Sequence, residues 1–360
     1  MTAIACFRVR GRPSIVGDVL VTRGMRPSAL RRKLLIVNPR LVVAWTGSRV
    51  AATLAIERLL RLRENADTSL ATLTRILTSD ELHTDLASLQ VVLVGWLVTD
   101  TEEICFRWNS TWHQEIFVSE GEPFVDGTGE NQVLSSLYAN LPAADQMDLD
   151  GFDDGAVLVR IVGDLMRPEL HIQPSVNLGH GVAYEGAQLD DQRRFQHLPS
   201  TLFFALTHTM TREGKHHSTR VLDPVARVTH VQDAMVYDFS THGGREALRH
   251  VILPVAGGMR TPSEWLSICR QELPESPISE YYCEWQYFEC PGFVSPNFPV
   301  IYRHARSSKR LRFVGRRGFA SLTSPTETER LFAFLRESEK TRVQSEGEFP
   351  MQVLPQRLPF

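Results

Sequence analysis

The sequence predicts an α+β fold in which two hydrophobic sheets carry helices on their outer sides, with an additional mixed α/β domain at the C-terminal end. Three observations carry that expectation. Elements read from the pattern run strands, helices, strands, helices, strands. The run 3–9 (AIACFRV) alternates as a strand does, while 89–98 (LQVVLVGWLV) is almost wholly apolar, as expected of a strand buried on both faces. Sheets and helices of this kind bury their apolar faces as stacked layers, and a generic α/β domain would give a similar pattern.

Taken in order, strands are expected at 3–9, 14–22, 34–37 and 41–46, the last ending in a tight turn at Gly47. A helix is expected over 49–63, with Val50, Leu54, Leu59, Leu60 and Leu62 set among charges. A second is expected over 68–78, with Leu70, Leu73, Ile76 and Leu77 on one face. Strands at 89–98, 103–108 and 113–119 come next, then helices at 130–141 and 153–166 separated by an acidic, exposed loop at 142–151. Strands return at 182–188 and 201–207. Beyond these, 264–273 and 326–340 read as helices, the second opened by a capping box from Thr326 to Glu329. The aromatic, Pro-rich tract 281–302 reads as aromatic core strands, or as a partner surface. The expected domains are 2–222 and 223–345, with a tail at 346–360.

Composition excludes several classes. Of 360 residues, 42% are hydrophobic and 22% charged, as in an ordinary globular protein. A net charge of −3, from 39 basic and 42 acidic residues, gives no global drive toward nucleic acid or membrane. No apolar run approaches the ~20 residues needed to span a bilayer. Arg8, Arg10 and Arg12 interrupt any signal segment, so the chain reads as cytoplasmic. Cys6, Cys105, Cys269, Cys283 and Cys290 are scattered and odd in number, which suggests reduced, mostly buried thiols. No metal or cofactor is expected. His208, His216 and His217 lack a carboxylate or Cys at ligand spacing, and read as a polar loop. The most basic stretch, 305–318, holds Arg306, Lys309, Arg310, Arg312, Arg316 and Arg317. It could meet phosphates, although a solvated strand and turn is the ordinary reading.

The chemistry begins at Thr2. Removal of Met1 would leave a threonine whose hydroxyl is a nucleophile and whose own α-amine is the base. An α-amine titrates near ~8, so a useful fraction is neutral in a cell. Asp18, Lys33 and the Gly47 turn follow within fifty residues. A lysine cation beside the threonine depresses the pKa of nucleophile and amine, a carboxylate holds that lysine, and turn N–H groups face an oxyanion. Each residue also has an ordinary reading: Asp18 as a turn residue, Lys33 as a solvated charge, Trp45 as core.

In T2-A-I-A, G17-D18-V-L-V-T22, R32-K33, L41-V-V-A-W-T-G47-S and V125-D126-G127-T128-G129-E130, the chain resembles the proteasome-type N-terminal nucleophile hydrolases, including the HslV-like peptidases. The segment L178-G-H-G-V-A-Y-E185 is similar to the family's Gly-Gly turn and returning strand, and the resemblance spans roughly 2–190. It implies a four-layer αββα sandwich and a threonine-type peptidase. In that reading Thr2 is the nucleophile, Asp18 and Lys33 support it, Gly47 supplies the oxyanion N–H, and Thr128 replaces a serine near the terminal amine. Thr22 and Gly47 would present backbone to an extended peptide. Trp45 would floor the specificity pocket, and two outcomes stay open: a residue of that size leaves the pocket shallow or shut, or Arg31 and Arg49 favour an acidic side chain. Ring-forming self-association, a peptide or protein substrate and an ATPase or adaptor partner are implied as well.

The chain also departs from the family pattern. The Asp18–Lys33 interval is one residue short, Ala51 and Ala52 stand where an acidic residue is usual, and only Ser175 offers itself for the late Asp and Ser. Three alternatives stay open: a catalytically inactive scaffold or assembly subunit of the same fold, a nucleic-acid-binding module using 305–318, and a ligase or transpeptidase in which the acyl-enzyme passes to an amine instead of water.

Overall fold

The computed structural model describes residues 2–321 apart from 25, 65–67, 112–114, 120, 147–153, 171–177, 199–200, 211–216, 222–224, 241–248, 255–259, 273–281, 289–296, 305–310 and 314–318. The chain is α+β, and its strand pairs are antiparallel. Six strands open it: β1 (Ile4–Val9), β2 (Arg12–Asp18), β3 (Leu20–Arg23), β4 (Arg26–Leu30), β5 (Leu34–Asn38) and β6 (Leu41–Gly47). Helices α1 (Arg49–Leu60), α2 (Leu70–Leu77) and α3 (Asp80–Leu86) follow. Next come β7 (Val91–Val98), β8 (Glu103–Asn109), β9 (Ile116–Ser119) and β10 (Phe124–Asp126), then α4 (Glu130–Gln146) and α5 (Asp154–Leu170). The next strands are β11 (Tyr184–Leu189), β12 (Phe195–His197), β13 (Thr201–Met210), β14 (His217–Val221), β15 (Val225–Val231), β16 (Ala234–Ser240) and β17 (Arg249–Pro254). Helix α6 (Pro262–Glu272) precedes β18 (Tyr282–Phe288), β19 (Asn297–His304), β20 (Leu311–Phe313) and β21 (Phe319–Ser321).

Two five-stranded sheets form the first part, ordered β10-β1-β2-β11-β12 and β5-β6-β7-β8-β9. Strand periodicity decides what each face buries. On β1, Ile4 and Cys6 face the second sheet, packing with Leu34, Val42, Ala44, Val94 and Trp96. Ala3, Ala5, Phe7 and Val9 face the other way, into a core shared with Val133, Leu137, Leu158 and Ile161 of α4 and α5. On β6, Val42 and Ala44 face the first sheet, while Val43 and Trp45 meet Ala51, Ala55, Leu73 and Leu82 of the helices. The small Ala51, Ala52 and Ala55 let α1 lie close on its sheet, and Ser48, Ser69 and Ser79 cap the three helices through their side chains. Gly95 on β7 sits where an added Cβ would strike Val42 O and the Phe106 ring.

Several expectations need adjustment. The single strand expected at 14–22 breaks at Val19, whose N–H leaves the strand ladder for Ala183 O, and β3 turns away to pair with β4. The loop expected at 142–151 is helical through Gln146, and helix α3 was not anticipated. Residues 201–221 carry β13 and β14, and β13 pairs with β15 and β19 in a nine-stranded sheet. That sheet shares a core with α5 through Phe203, Ala226, Val228, Met235 and Tyr237. The helix expected at 264–273 is α6, and the one at 326–340 lies outside the described residues. Cys6, Cys105 and Cys269 are buried. Among the described residues no helix is long and apolar enough to cross a membrane.

Candidate active site

The first residues of β1 lie between the end of β2 and the start of β5, and this brings distant polar groups together. Thr2, Asp18 and Lys33 are all buried. Lys33 Nζ donates to Thr2 Oγ1 at 2.6 Å, to Asp18 Oδ1 at 2.6 Å and to Leu20 O. Three acceptors match the three protons of an ammonium. Burial pushes the Lys33 pKa below its ordinary value, and the Asp18 charge works against that shift.

Asp18 is held from three directions. Its Oδ1 accepts from Ala3 N at 3.1 Å as well as from Lys33, and its Oδ2 accepts from Gly181 N at 2.8 Å. The Gly181 donor comes from a turn with positive φ at Gly179, Gly181 and Val182, so the chain delivers an N–H to the carboxylate where a strand would turn it away.

Thr128 closes the other side. Thr2 N donates to Thr128 Oγ1 at 3.2 Å, and the Thr128 hydroxyl donates to Gly179 O at 3.5 Å. Gly129 N donates to Thr2 O at 3.0 Å. The glycines flanking Thr128 are required by this approach. Gly127 has φ +104, and a Cβ there would run into Thr2 O. At Gly129 a Cβ would come within 2.5 Å of Ala3 Cβ and 3.0 Å of His180 Cγ.

Thr2, Asp18, Lys33 and Thr128 therefore meet in one hydrogen-bonded cluster, and the other candidate residues have different partners. Gly47 ends β6, exposed and with φ +100, where a Cβ would meet Gln90 O at 2.5 Å. It stands two residues beyond Trp45, whose N–H bonds to Lys33 O at 3.1 Å. Trp45 is 2% exposed in the helix-side core, its indole N–H donating to Arg32 O at 3.2 Å. Thr22 is half-buried on β3. Arg31 is exposed, with its guanidinium on Leu30 O, and Arg49 is the exposed first residue of α1. Ser175, most of the basic 305–318 stretch and His216 lie outside the described residues.

Sequence reasoning assigned no role to three groups of this neighbourhood. His180 is 3% exposed, and its Nδ1 lies 3.1 Å from Tyr184 Oη. Burial pushes its pKa down; Asp18 opposes this and Lys33 adds to it. Glu185 and Arg32 form a buried ion pair, Nε to Oε2 at 2.8 Å. The GHGVAYE run signalled a turn and strand here, but spacing gave no partner for Glu185. Glu185, His197 and His230 also present ligand atoms within 4.8 Å of one another, a set that suits a metal by donor type. The Arg32 guanidinium already stands among them, with Nη2 2.6 Å from a ring nitrogen of His197. A fixed cation in that place repels a second one, so the cluster is an arginine cage rather than a metal centre.

No protein-family model matches the chain, and no curated protein matches it.

Proposed function

We propose that the chain is a threonine-nucleophile amide hydrolase, a peptidase of the proteasome-like N-terminal nucleophile class, acting through a Thr2 freed by cleavage of the bond before it. The observation that carries the reading is the buried contact of Lys33 Nζ with both Thr2 Oγ1 and Asp18 Oδ1, each at 2.6 Å. Two face-to-face sheets with α4–α5 outside one and α1–α3 outside the other support it too, read as a four-layer αββα sandwich with an added C-terminal domain.

The chemistry follows from the groups present. Thr2 Oγ1 attacks an amide carbonyl carbon while the freed α-amine takes the hydroxyl proton. The Lys33 ammonium, already donating to Oγ1, lowers the energy of charge developing there. Asp18 keeps that lysine oriented and charged. Thr128 Oγ1 steadies the amine. The Gly47 N–H receives the oxyanion. The α-ammonium then passes its proton to the leaving amine, and water cleaves the acyl ester. Peptide would bind in extended form along Thr22 and Gly47, with Arg31 and Arg49 favouring acidic side chains. Self-association and an ATPase or adaptor belong to the same reading.

The test is mass spectrometry of the N-terminal peptide after exposure to a threonine-reactive β-lactone or peptide epoxyketone. An adduct on a Thr2 with nothing before it supports the proposal, and a free but unmodified Thr2 removes it. A second reading, a scaffold that keeps the fold without the chemistry, is favoured by one observation: Thr2 and Trp45 are each only 2% exposed.

A further inference from the structure

The chain has four lysines, Lys33, Lys215, Lys309 and Lys340, against 35 arginines, and Lys33 is bracketed by its sequence neighbours. On one side, the Arg32 guanidinium donates from Nε to Glu185 Oε2 at 2.8 Å and from Nη1 to Asp233 O at 2.9 Å. On the other, Leu34 N donates to Glu185 Oε1 at 3.2 Å. One carboxylate therefore grips residues 32 and 34 together. Its side chain is 0% exposed, so neither bond is shared with water.

The far side of this grip belongs to the nine-stranded sheet. His230 on β15 places Nε2 3.3 Å from Glu185 Oε2, and its ring stacks on His197 with centroids 4.1 Å apart and planes within 6°. Asp233, in the turn from β15 to β16, offers its carbonyl to Arg32 and its carboxylate to Arg63, beyond the end of α1. The turn needs a positive φ at Gln232 to aim both groups. Two segments far from Lys33 in sequence thus meet on its flanks.

We propose that Glu185 is a positioning residue for Lys33, and that the β15–β16 turn, through His230 and Asp233, makes the C-terminal sheet a working part of the Thr2–Asp18–Lys33 site. This rests on the functional reading given above. Glu185 fixes the Arg32 side chain and the Leu34 backbone on either side of the lysine. The same β11 segment carries Gly181, whose N–H holds Asp18, so both partners of the ion pair are set by one strand and the turn leading into it. Planar, two-sided recognition by Arg32 is something a lysine there could not reproduce.

The experiment uses the full chain with ¹³C-lysine, where four lysines give a readable spectrum. The pKa of Lys33 is followed by NMR, and the rate of β-lactone addition to Thr2 by mass spectrometry, for wild type, Glu185→Gln, His230→Phe and Glu185→Gln/Arg32→Gln. Glu185→Gln is expected to move the Lys33 pKa by about one unit and to slow addition about tenfold. His230→Phe keeps the stack on His197 and loses the bond to Glu185; it is expected to move both readouts in the same direction by a smaller amount. The double variant removes both charges together. It is expected to recover thermal stability but neither the Lys33 pKa nor the rate, because a merely structural ion pair is replaceable and a positioning one is not. An unchanged Lys33 pKa in folded His230→Phe and in the double variant overturns the proposal. So does Co²⁺ binding to wild type that displaces Arg32 and leaves Lys33 unmoved. Failure of wild-type Thr2 to take the lactone removes the hydrolase reading alone, since the lysine titration still decides the positioning claim.

Discussion

Lys33 Nζ and Thr2 Oγ1 lie 2.6 Å apart in a buried site, thirty-one residues apart in sequence. The ammonium approaches the hydroxyl as a donor, with its other two protons on Asp18 and Leu20 O. That arrangement favours negative charge on Oγ1. Lys33→Met removes the donor and leaves Asp18 as an uncompensated buried charge. Loss of one partner of such a pair costs about 3–5 kcal/mol. Lactone addition to Thr2 is expected to fall by a factor on the order of 10²–10³. Asp18→Asn should destabilise by a similar amount, because Lys33 then faces burial unopposed. Chemical denaturation and the addition rate, measured on the same samples, check both. A variant that stays stable and reactive contradicts the assignment.

Thr128 separates chemistry from stability. Its side chain accepts from Thr2 N at 3.2 Å, yet the residue is exposed, so water can replace the hydroxyl. Thr128→Ala is expected to cost less than about 1 kcal/mol while slowing addition about tenfold or more. Thr128→Ser should restore the rate. Gly127→Ala behaves otherwise: positive φ and collision with Thr2 O combine, and a loss of about 2–4 kcal/mol is expected. Equal stability of wild type and Gly127→Ala would show that the turn can move away from Thr2.

The arginine cage gives the protein an acid limb. Burial first, then the charges of His230 and Arg32, push His197 well below the ordinary 6.5; burial, with the Arg32 charge, pushes His230 below it, although the bond to Glu185 and its charge oppose this. Burial opposes ionisation of Glu185, but Arg32 and His230 outweigh it and hold the carboxyl below 4.5. All three folded-state pKa values are depressed. Stability from such groups is complete above their unfolded values and is lost as pH falls toward the folded ones. The melting temperature is therefore expected to decline from about pH 6.5 downward and to steepen below about 4.5. A His197→Phe/His230→Phe variant should flatten the first part of that decline. Thermal scans from pH 8 to 4 decide it, and a flat wild-type curve between about 7 and 5 sinks it.

Much of the site was legible because its parts lie near the start of the chain and carry residue types with defined chemistry. Thr2, Asp18 and Lys33 form an ordered set with a mechanism, Thr128 enters only through the resemblance to the N-terminal nucleophile hydrolases, and the short Asp18–Lys33 interval does not keep Lys33 from Thr2. The break at Val19 accompanies that interval, because β3 leaves its sheet there and returns through β4. Glu185, Arg32 and His230 have no role in the sequence reading for a physical reason. Their partners are 153 and 45 residues apart, and periodicity fixes which face a side chain takes without saying which strand lies opposite. The same limit hid β13 as the bridge between β15 and β19. Trp45 has two readings in the sequence, core and pocket floor, and its place in the helix-side core fits either.

Trp45 can be tested as both. Its indole packs with Leu35, Val43, Ala51 and Leu93 and is pinned by the bond to Arg32 O. Truncation to Ala leaves a void, and a loss of about 3–5 kcal/mol is expected for a buried tryptophan. If the same indole floors the substrate pocket, the void opens to the substrate side. Peptide epoxyketones with a small first side chain should then react faster with wild type than those bearing leucine or phenylalanine, and Trp45→Ala should invert that order. Trp45→Phe keeps most of the volume but lacks the indole donor; it should fall between the two in preference and in stability. The ratio of addition rates for small and large probes is independent of how much protein is folded, which makes it the deciding quantity. An unchanged ratio in Trp45→Ala, with only the stability reduced, assigns Trp45 to the core alone and moves the pocket elsewhere.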